Sequence, residues 1–293
     1  MQARTKATLI GFIAVLLWSL LALFTTFAST IPPFQLMALT FGVAFGVSFI
    51  FWCRRGLGGV FRELKQPWLA YALGIGGLFG YHFFYFLALR NAPPAYAGLI
   101  AYLWPLLIVL FSALLPGEKL RWFHVAGAVL GLAGAALIVS KGNLGGFDSR
   151  FGAGYFFAVI CALIWSGYSV SNRRFGDVPT SVVGLFCLAC SVLAAVCHLL
   201  LETWVMPGAM AWFAILGLGL GPVGLAFFVW DYGTKHGNIQ ALGASAYLAP
   251  LLSTLILIVF GKAEPTSSLL IACFLIVVGA VLASKDIFFS QKA

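Results

Sequence analysis

Aromatic and polar side chains within apolar stretches are the residues whose types and spacing suggest chemistry in this chain. In CALIWSGYSVSN, residues 161–172, Trp165, Ser169 and Asn172 recur at intervals of four and three residues, and Tyr168 accompanies them. This spacing places Trp165, Ser169 and Asn172 on one face of a helix. An indole that stacks, with a hydroxyl and an amide that form hydrogen bonds, favours the binding of a small solute.

A second group of such residues lies in GYHFFYFLAL, residues 80–89, where Tyr81 and Tyr85 are four residues apart and share a helical face. His82, between them, is an ionisable side chain inside an apolar segment. Because polar groups at membrane depth usually face a bundle interior or a cavity, we expect these three residues to line a pathway. The alternatives are a neutral histidine bonded to a neighbouring helix and a position nearer the membrane interface.

The acidic residues indicate which substrates are unsuitable. All eight fall in loops or at the ends of apolar segments, namely Glu63, Glu118, Asp148, Asp177, Glu202, Asp231, Glu264 and Asp286. This distribution gives no support to a carboxylate proton relay, and it leaves a cationic substrate without a counter-charge. An uncharged or zwitterionic, partly aromatic solute fits better, and no cofactor, metal ion or catalytic residue is expected.

The elements that must position these residues are membrane helices. The chain is 62% hydrophobic and 9% charged, with a mean hydropathy of +1.04, whereas soluble domains are about half apolar and a quarter charged. A spanning helix needs about 20 apolar residues. The sequence therefore predicts an all-α membrane protein with ten transmembrane helices, at residues 7–28, 33–53, 67–89, 94–115, 121–140, 151–171, 180–201, 208–230, 239–260 and 266–284.

The basic residues predict the orientation of these helices. Ten spans place both termini on one side, and that side then carries thirteen lysines and arginines against four on the other. Because basic residues accumulate in cytoplasmic loops, both termini are predicted to be cytoplasmic. The net charge of +9 therefore reports topology rather than a nucleic-acid partner.

A repeated pattern divides the chain into two halves. Three short sequences recur in the same order at offsets of 147, 145 and 144 residues: Trp18-Ser19 and Trp165-Ser166, AYLWPLL (101–107) and AYLAPLL (246–252), and Ser140-Lys141 and Ser284-Lys285. We predict two five-helix repeats, residues 1–146 and 147–293. Because five is odd, the second repeat enters the membrane from the opposite face. Inverted repeats are common in secondary transporters, whose substrate sites lie between the halves.

Ten spans, inverted halves and a Tyr-Leu-x-Pro-Leu motif resemble the drug/metabolite transporter superfamily, EamA family. The motif is followed by an acidic end, Gly117-Glu118 after the fourth span and the looser Gly261-Lys262-Ala263-Glu264 after the ninth. The resemblance covers essentially the whole chain. The aromatic-rich interior is similar to that of the aromatic amino acid exporters of the YddG type, which implies export of such solutes by alternating access.

Pro105 and Pro250 lie in the middle of the fourth and ninth spans. An interior proline removes one backbone hydrogen bond and bends the helix, so we predict a hinge or kink in each half; a kink that only improves packing is the alternative. Tyr102 and Tyr247 precede the prolines by three residues. Each hydroxyl either satisfies the interrupted backbone or faces the cavity.

Tryptophans also mark the expected centre. Trp18 in the first span is the counterpart of Trp165 in the sixth, and we expect both to line the cavity. Trp230, at the predicted end of the eighth span, also suits an aromatic belt at the membrane interface. Cys187 and Cys190 form a CxxC inside an apolar segment, which favours packing over metal or redox chemistry.

The sequence thus predicts a secondary transporter that exports small organic metabolites, with aromatic or other neutral amino acids preferred. The alternatives are transport of other solutes, such as nucleosides or sugars, and, from other classes, an intramembrane enzyme, a lipid-handling protein or a channel. The expected partners are a small-molecule substrate and the lipid bilayer, with no nucleic acid and a monomer as the working unit. The expected location is the bacterial inner membrane, as a multi-pass protein.

Overall fold

The computed structural model describes residues 2–140, 148–264 and 267–285, and it is helical throughout these ranges, without a β-strand. The helices are α1 Gln2–Trp18, α2 Leu21–Phe27, α3 Pro33–Arg55, α4 Leu57–Leu64, α5 Trp68–Asn91, α6 Pro94–Ala101, α7 Trp104–Phe111, α8 Trp122–Val139, α9 Gly152–Ser171, α10 Val183–Leu201, α11 Ala209–Leu220, α12 Ala226–His236, α13 Ile239–Ser245, α14 Leu248–Val259 and α15 Ser267–Ala283. A π-helical turn, Gly221–Leu225, joins α11 to α12. The predicted all-α fold class is confirmed.

Nine helical segments within the described ranges are long and apolar enough to cross a membrane. They are Gln2–Phe27, Pro33–Arg55, Trp68–Asn91, Pro94–Leu114, Trp122–Val139, Ser149–Phe175, Thr180–Leu201, Ala209–His236 and Ile239–Val259. A shorter apolar helix, Ser268–Ala283, occupies the place of the predicted tenth span. One boundary was clearly wrong, because the eighth segment was expected to end at residue 230 and continues to His236.

The helices pack in pairs that the repeat relates to one another. The strongest pairs are α8 with α15, α5 with α9, α3 with α10, and α1 with α12. Exchanging the two predicted repeats converts the α5–α9 pair into the α1–α12 pair and returns each of the other two pairs to itself. The outer surface is apolar, with Leu199 79% exposed and Val259 82% exposed, as expected for a bundle solvated by lipid.

Small residues allow the closest of these contacts. A Cβ atom on Gly127 of α8 would lie 2.4 Å from the carbonyl oxygen of Gly279 on α15, so the two backbones touch at this crossing. Cys187 and Cys190 are fully buried in α10, in agreement with the packing interpretation of the CxxC.

Two helix ends are defined by prolines and by a carboxylate. α3 begins at Pro33 and α6 at Pro94, where the missing N–H of the proline needs no partner. Glu202, after α10, accepts hydrogen bonds from the backbone N–H of Phe34 at 3.0 Å and of Gln35 at 3.1 Å. A carboxylate at a helix N-terminus satisfies unpaired donors and complements the helix dipole, so Glu202 ties the second and seventh helical segments of the fold together.

Both mid-membrane prolines accompany an interrupted helix. The fourth span is divided into α6 and α7 at Tyr102-Leu103, and the ninth into α13 and α14 at Ala246-Tyr247. Each interruption lies on the N-terminal side of its proline, Pro105 or Pro250, because that is where the missing N–H leaves a carbonyl without its helical partner. Both spans are therefore interrupted at the places where kinks are predicted.

Candidate functional site

Four tryptophans from four different spans meet in the centre of the bundle. Trp18 ends α1, Trp104 begins α7, Trp165 lies within α9, and Trp230 lies within α12. We call these residues the tryptophan tetrad. All six pairs among them have ring centroids separated by 5.0–6.4 Å, in the range where aromatic rings attract one another. Two members come from each predicted half of the chain.

Hydrogen bonds from the indole nitrogens orient two members of the tetrad. The carbonyl oxygen of Pro222, in the π-helical turn, accepts a hydrogen bond from Trp18 Nε1 at 3.1 Å. Trp230 Nε1 donates to Ser169 Oγ at 3.1 Å, and both residues are fully buried. The polar edges of these two indoles are thus satisfied by protein, which leaves their faces for contact with other rings.

Aromatic residues extend the tetrad towards His82. Tyr81 lies 5.4 Å from Trp165 and 5.3 Å from His82, and Phe227 lies 5.7 Å from Trp165 and 6.1 Å from His82. His82 Nδ1 is 2.7 Å from the carbonyl oxygen of Leu78. Because a carbonyl only accepts, Nδ1 carries the proton, and in the neutral ring Nε2 is an acceptor. His82 is therefore placed beside the tetrad with Nε2 as its one ring acceptor.

The remaining predicted tyrosines flank this cluster. Tyr85 stacks on Tyr81 at 5.9 Å with an interplanar angle of 7°, and both are half-buried. Tyr168 is buried, 5.3 Å from Trp165, and packs where a Cβ on Gly77 would lie 2.5 Å from its ring. Tyr81 and Tyr168 thus contact Trp165, and Tyr85 reaches it through Tyr81.

The Tyr247 hydroxyl bonds the interrupted backbone and not the cavity. Its hydroxyl accepts a hydrogen bond from the backbone N–H of Leu106 at 3.1 Å and donates one to the carbonyl oxygen of Tyr102 at 3.2 Å. In an uninterrupted helix these two backbone groups would bond to each other. The fully buried Tyr247 hydroxyl is therefore inserted into the α6–α7 break, and it satisfies the backbone of the opposite half.

A buried ion pair directly follows the tetrad residue Trp230 in α12. Asp231 is fully buried and its Oδ2 is 2.9 Å from Lys235 Nζ, whose side chain is 1% exposed. The same carboxylate accepts hydrogen bonds from Asn172 Nδ2 at 3.0 Å and Thr180 Oγ1 at 2.7 Å. Lys235 Nζ also donates to the carbonyl oxygen of Val178 at 3.0 Å. The pair joins the eighth segment to the end of the sixth and the start of the seventh.

A second ionic contact closes the same end of the bundle. Glu118, 8% exposed in its side chain, lies 2.8 Å from Arg4 on α1 and 2.8 Å from Arg173 after α9. Arg173 Nη1 also donates to the carbonyl oxygen of Gly237 at 2.7 Å. We call this end the terminal face, because α1 begins there and Lys285, near the end of α15, lies over the Phe123 ring there. In this structure, the ion pairs of Glu118 and Asp231 close the terminal face.

Two expectations about this region were wrong. Asp231 was assigned to a span end, but α12 continues past it, and Lys235 one turn later on the same face neutralises it. Trp230 was considered for an interfacial belt, but it is fully buried in the tetrad. Asn172 contacts Asp231 rather than the tetrad. Trp104 and Trp230 were the missed members, and the substitution of Trp104 for Ala249 in the repeated motif was the available signal.

Known proteins resemble this chain over nearly its whole length. The sequence profile of the EamA-like transporter family matches residues 5–140 and again residues 152–285. The aromatic amino acid exporter YddG of Ancylobacter novellus is 55% identical over 284 residues, covering 97% of this chain and 98% of that protein. The exporter of the same name from Escherichia coli is 26% identical over 265 residues, covering 86% and 88%.

A solved crystal structure gives the same result for the fold. It is 54% identical in sequence, covers 96% of this chain and 98% of its own, and superposes with a TM-score of 0.90. The match of the family profile to both halves, together with these relatives, establishes the family, so this chain belongs to the EamA-like transporter family.

Proposed function

We propose that this protein is a secondary transporter that exports aromatic and other neutral amino acids by alternating access through the tryptophan tetrad. It is a multi-pass protein of the bacterial inner membrane, and relatives aligned over most of its length are named aromatic amino acid exporters. The observation that carries the proposal is the meeting of four indoles, two from each half, at the centre of an apolar bundle. Such a cluster provides stacking surfaces for an aromatic ring.

The charged ends of an amino acid have partners beside the tetrad. His82 Nε2 accepts a hydrogen bond from an ammonium group when the imidazole is neutral, and the indole faces attract the same cation. The half-buried hydroxyl of Tyr85 is a donor for the carboxylate. We assign ring binding to Trp18, Trp104 and Trp165, and we assign recognition of the charged ends to His82 and Tyr85.

Opening of the bundle must precede binding. The tetrad rings pack directly against one another, and Trp230 and Trp165 are 0% and 3% exposed. A substrate ring therefore enters only when helices separate and replaces an indole–indole contact with an indole–substrate contact. Closure of the terminal face by Glu118 and Asp231 is consistent with one of the end states of such a cycle.

The finer topology that we propose has ten transmembrane helices, arranged as inverted repeats over residues 1–146 and 147–293, with both termini cytoplasmic. The exchange-symmetric helix pairs, the two matches of one family profile and the position of Arg4 and Lys285 on the same face support it. Cysteines introduced at residues 3 and 285 should both react only from the cytoplasm. Reaction of either one from outside contradicts this topology.

The proposed transport is tested by flux into liposomes. Purified protein should move labelled Phe and Trp faster than protein-free liposomes do, and unlabelled neutral amino acids should compete with them. A nucleoside and a sugar serve as the comparison solutes, and each solute is measured with and without a pH gradient. Flux of the nucleoside or sugar without flux of any amino acid would reject the substrate class but keep the transporter.

A further inference from the structure

Each half of the chain carries the groups needed to bridge the interrupted helix of the other half. At the offset of 145 residues, Tyr102 corresponds to Tyr247 and Leu106 to Leu251. The bridge in the structure uses the Tyr247 hydroxyl, the Leu106 N–H and the Tyr102 carbonyl. The reciprocal bridge would use the Tyr102 hydroxyl, the Leu251 N–H and the Tyr247 carbonyl, and all of its groups are present in the sequence.

Only one of these two bridges is formed in the structure. The Tyr247 side chain is fully buried and makes both of its hydrogen bonds. Tyr102 is half-buried. Within the described residues, no bond from its hydroxyl to the Tyr247 carbonyl or from the Leu251 N–H matches the pair that Tyr247 makes. Because the two motifs are nearly identical in sequence, the difference lies in the conformation around them and not in the groups that they provide.

We propose that Tyr102 and Tyr247 are reciprocal positioning residues for transport, each of which bridges the broken helix of the other half in one of the two access states. Tyr247 bridges the α6–α7 break while the terminal face is closed. Tyr102 bridges the α13–α14 break when the terminal face is open. The proposal rests on the alternating access proposed above, because a protein with inverted repeats exchanges the conformations of its halves between the two states.

The bridge also connects the hinge to the substrate site. Trp104 lies between the two backbone groups that the Tyr247 hydroxyl joins, the carbonyl of Tyr102 and the N–H of Leu106. Fixing these two groups fixes the first turn of α7, and with it the direction of the Trp104 indole within the tetrad. Release of Tyr247 therefore frees Trp104 to move as the terminal face opens.

The two bridges differ in stability because the packing sites of the two tyrosine rings differ. A Cβ on Gly131 of α8 would lie 2.4 Å from the Tyr247 ring, so this glycine makes the recess in which the ring sits. The offset of 144 residues found at the end of the fifth and tenth spans places Leu275 at the equivalent position. Tyr102 has no glycine recess on α15, which makes the Tyr247 bridge the more stable one and accounts for its presence in the structure.

The test removes one hydroxyl at a time and follows the terminal face. Val178 is 7% exposed, and its carbonyl receives Lys235, so a cysteine at this position reports opening of the terminal face. We would measure its labelling by a membrane-impermeant maleimide in the full-length protein, with peptide mass spectrometry to separate it from native cysteines. The variants are Tyr247→Phe, Tyr102→Phe and their combination, and Tyr232→Phe, whose ring lies at the exposed side of α12, is the matched control.

The two single variants should change the labelling rate in opposite directions. Tyr247→Phe leaves two backbone groups without their partner, and the rate should rise by about tenfold, which corresponds to about 1.4 kcal/mol. Tyr102→Phe weakens the open state and should lower the rate, and the double variant should return it towards the wild-type value. A structural role of either hydroxyl alone predicts neither the decrease nor the return.

The outcomes separate this inference from the proposed function. A rate in Tyr102→Phe that equals wild type, or a change of the same sign in both single variants, overturns the reciprocal bridge even if the protein transports Phe and Trp. Opposite changes in a protein that moves none of the offered amino acids would support the bridge and reject the proposed substrates. Unchanged labelling in Tyr232→Phe is required in either case.

Discussion

The change Asp231→Asn is expected to open the terminal face. Asp231 is fully buried and accepts hydrogen bonds from Asn172, Thr180 and Lys235. Asparagine keeps the size of the side chain but removes the negative charge, so the Lys235 ammonium, 1% exposed, is left with the neutral Val178 carbonyl and amide oxygen and without a counter-ion. A charged lysine without a counter-ion is stabilised by water, and opening of this face provides that water.

The magnitude follows from the burial of the pair. Removing one partner of a buried ion pair costs about 3–5 kcal/mol, whereas an exposed pair contributes about 0–1 kcal/mol. Because the penalty applies to the closed state and is relieved when Lys235 reaches solvent, the open-to-closed ratio should rise by about a hundredfold or more. Arg150, 82% exposed, forms an ion pair with Asp148 at the surface and serves as the control. Because an exposed pair contributes little, Arg150→Gln should leave the open-to-closed ratio nearly unchanged.

The assay is again maleimide labelling of a cysteine at residue 178, because Val178 is covered by the closed network. The double variant Asp231→Asn with Lys235→Met removes the stranded charge and should restore slow labelling, since an uncharged pair of similar volume replaces the ions. The reasoning would be refuted by labelling of Asp231→Asn within twofold of wild type. It would also be refuted by a double variant that labels as fast as the single one.

Two further substitutions test the tetrad and the helix packing. Trp165→Ala should lower the flux of Phe and Trp by about tenfold through lost ring contacts without changing the amount of protein in the membrane, and Trp122→Ala, 72% exposed, should leave flux unchanged. Gly131→Ala should destabilise the protein by about 1–3 kcal/mol, because its Cβ would lie 2.4 Å from the Tyr247 ring. A Cβ atom on Gly167 would have no neighbour within 4 Å, so the thermal unfolding temperature of the Gly167→Ala variant should not fall.

Much of the fold could be predicted from hydropathy and spacing, because the membrane imposes both. Nine predicted spans coincide with apolar helical segments, and the prolines mark the two broken helices. The end of the eighth span was missed because hydropathy counts Asp231 and Lys235 as two exposed charges. In the structure they neutralise each other at a spacing of four residues, so the helix continues through them.

The sequence could predict proximity only between site residues that lie on the same helix. Trp165, Ser169 and Tyr168 are neighbours along one helix; in the structure Tyr168 contacts Trp165, and Ser169 accepts a hydrogen bond from Trp230. Trp104 and Trp230 come from different spans, and only the tertiary arrangement brings them together at 5.9 Å. The choice between the two roles of Tyr247 also needed the structure, because its partner backbone lies 141 residues away.

The two copies of the repeated motif differ only at Trp104 and Ala249, and this difference separates the residues that bend the helices from the residue to which we assign substrate contact. Tyr102, Pro105 and Leu106 are matched in the second half, so the parts that bend and bridge are duplicated, as two interconvertible states require. Trp104 is not matched, since Ala249 takes its place. The duplicated residues thus provide the exchange between states, whereas the unmatched indole adds aromatic surface from one half alone. A fully symmetric motif would place either two such indoles at the tetrad or none, which would overfill the centre or remove part of the surface that an aromatic solute needs.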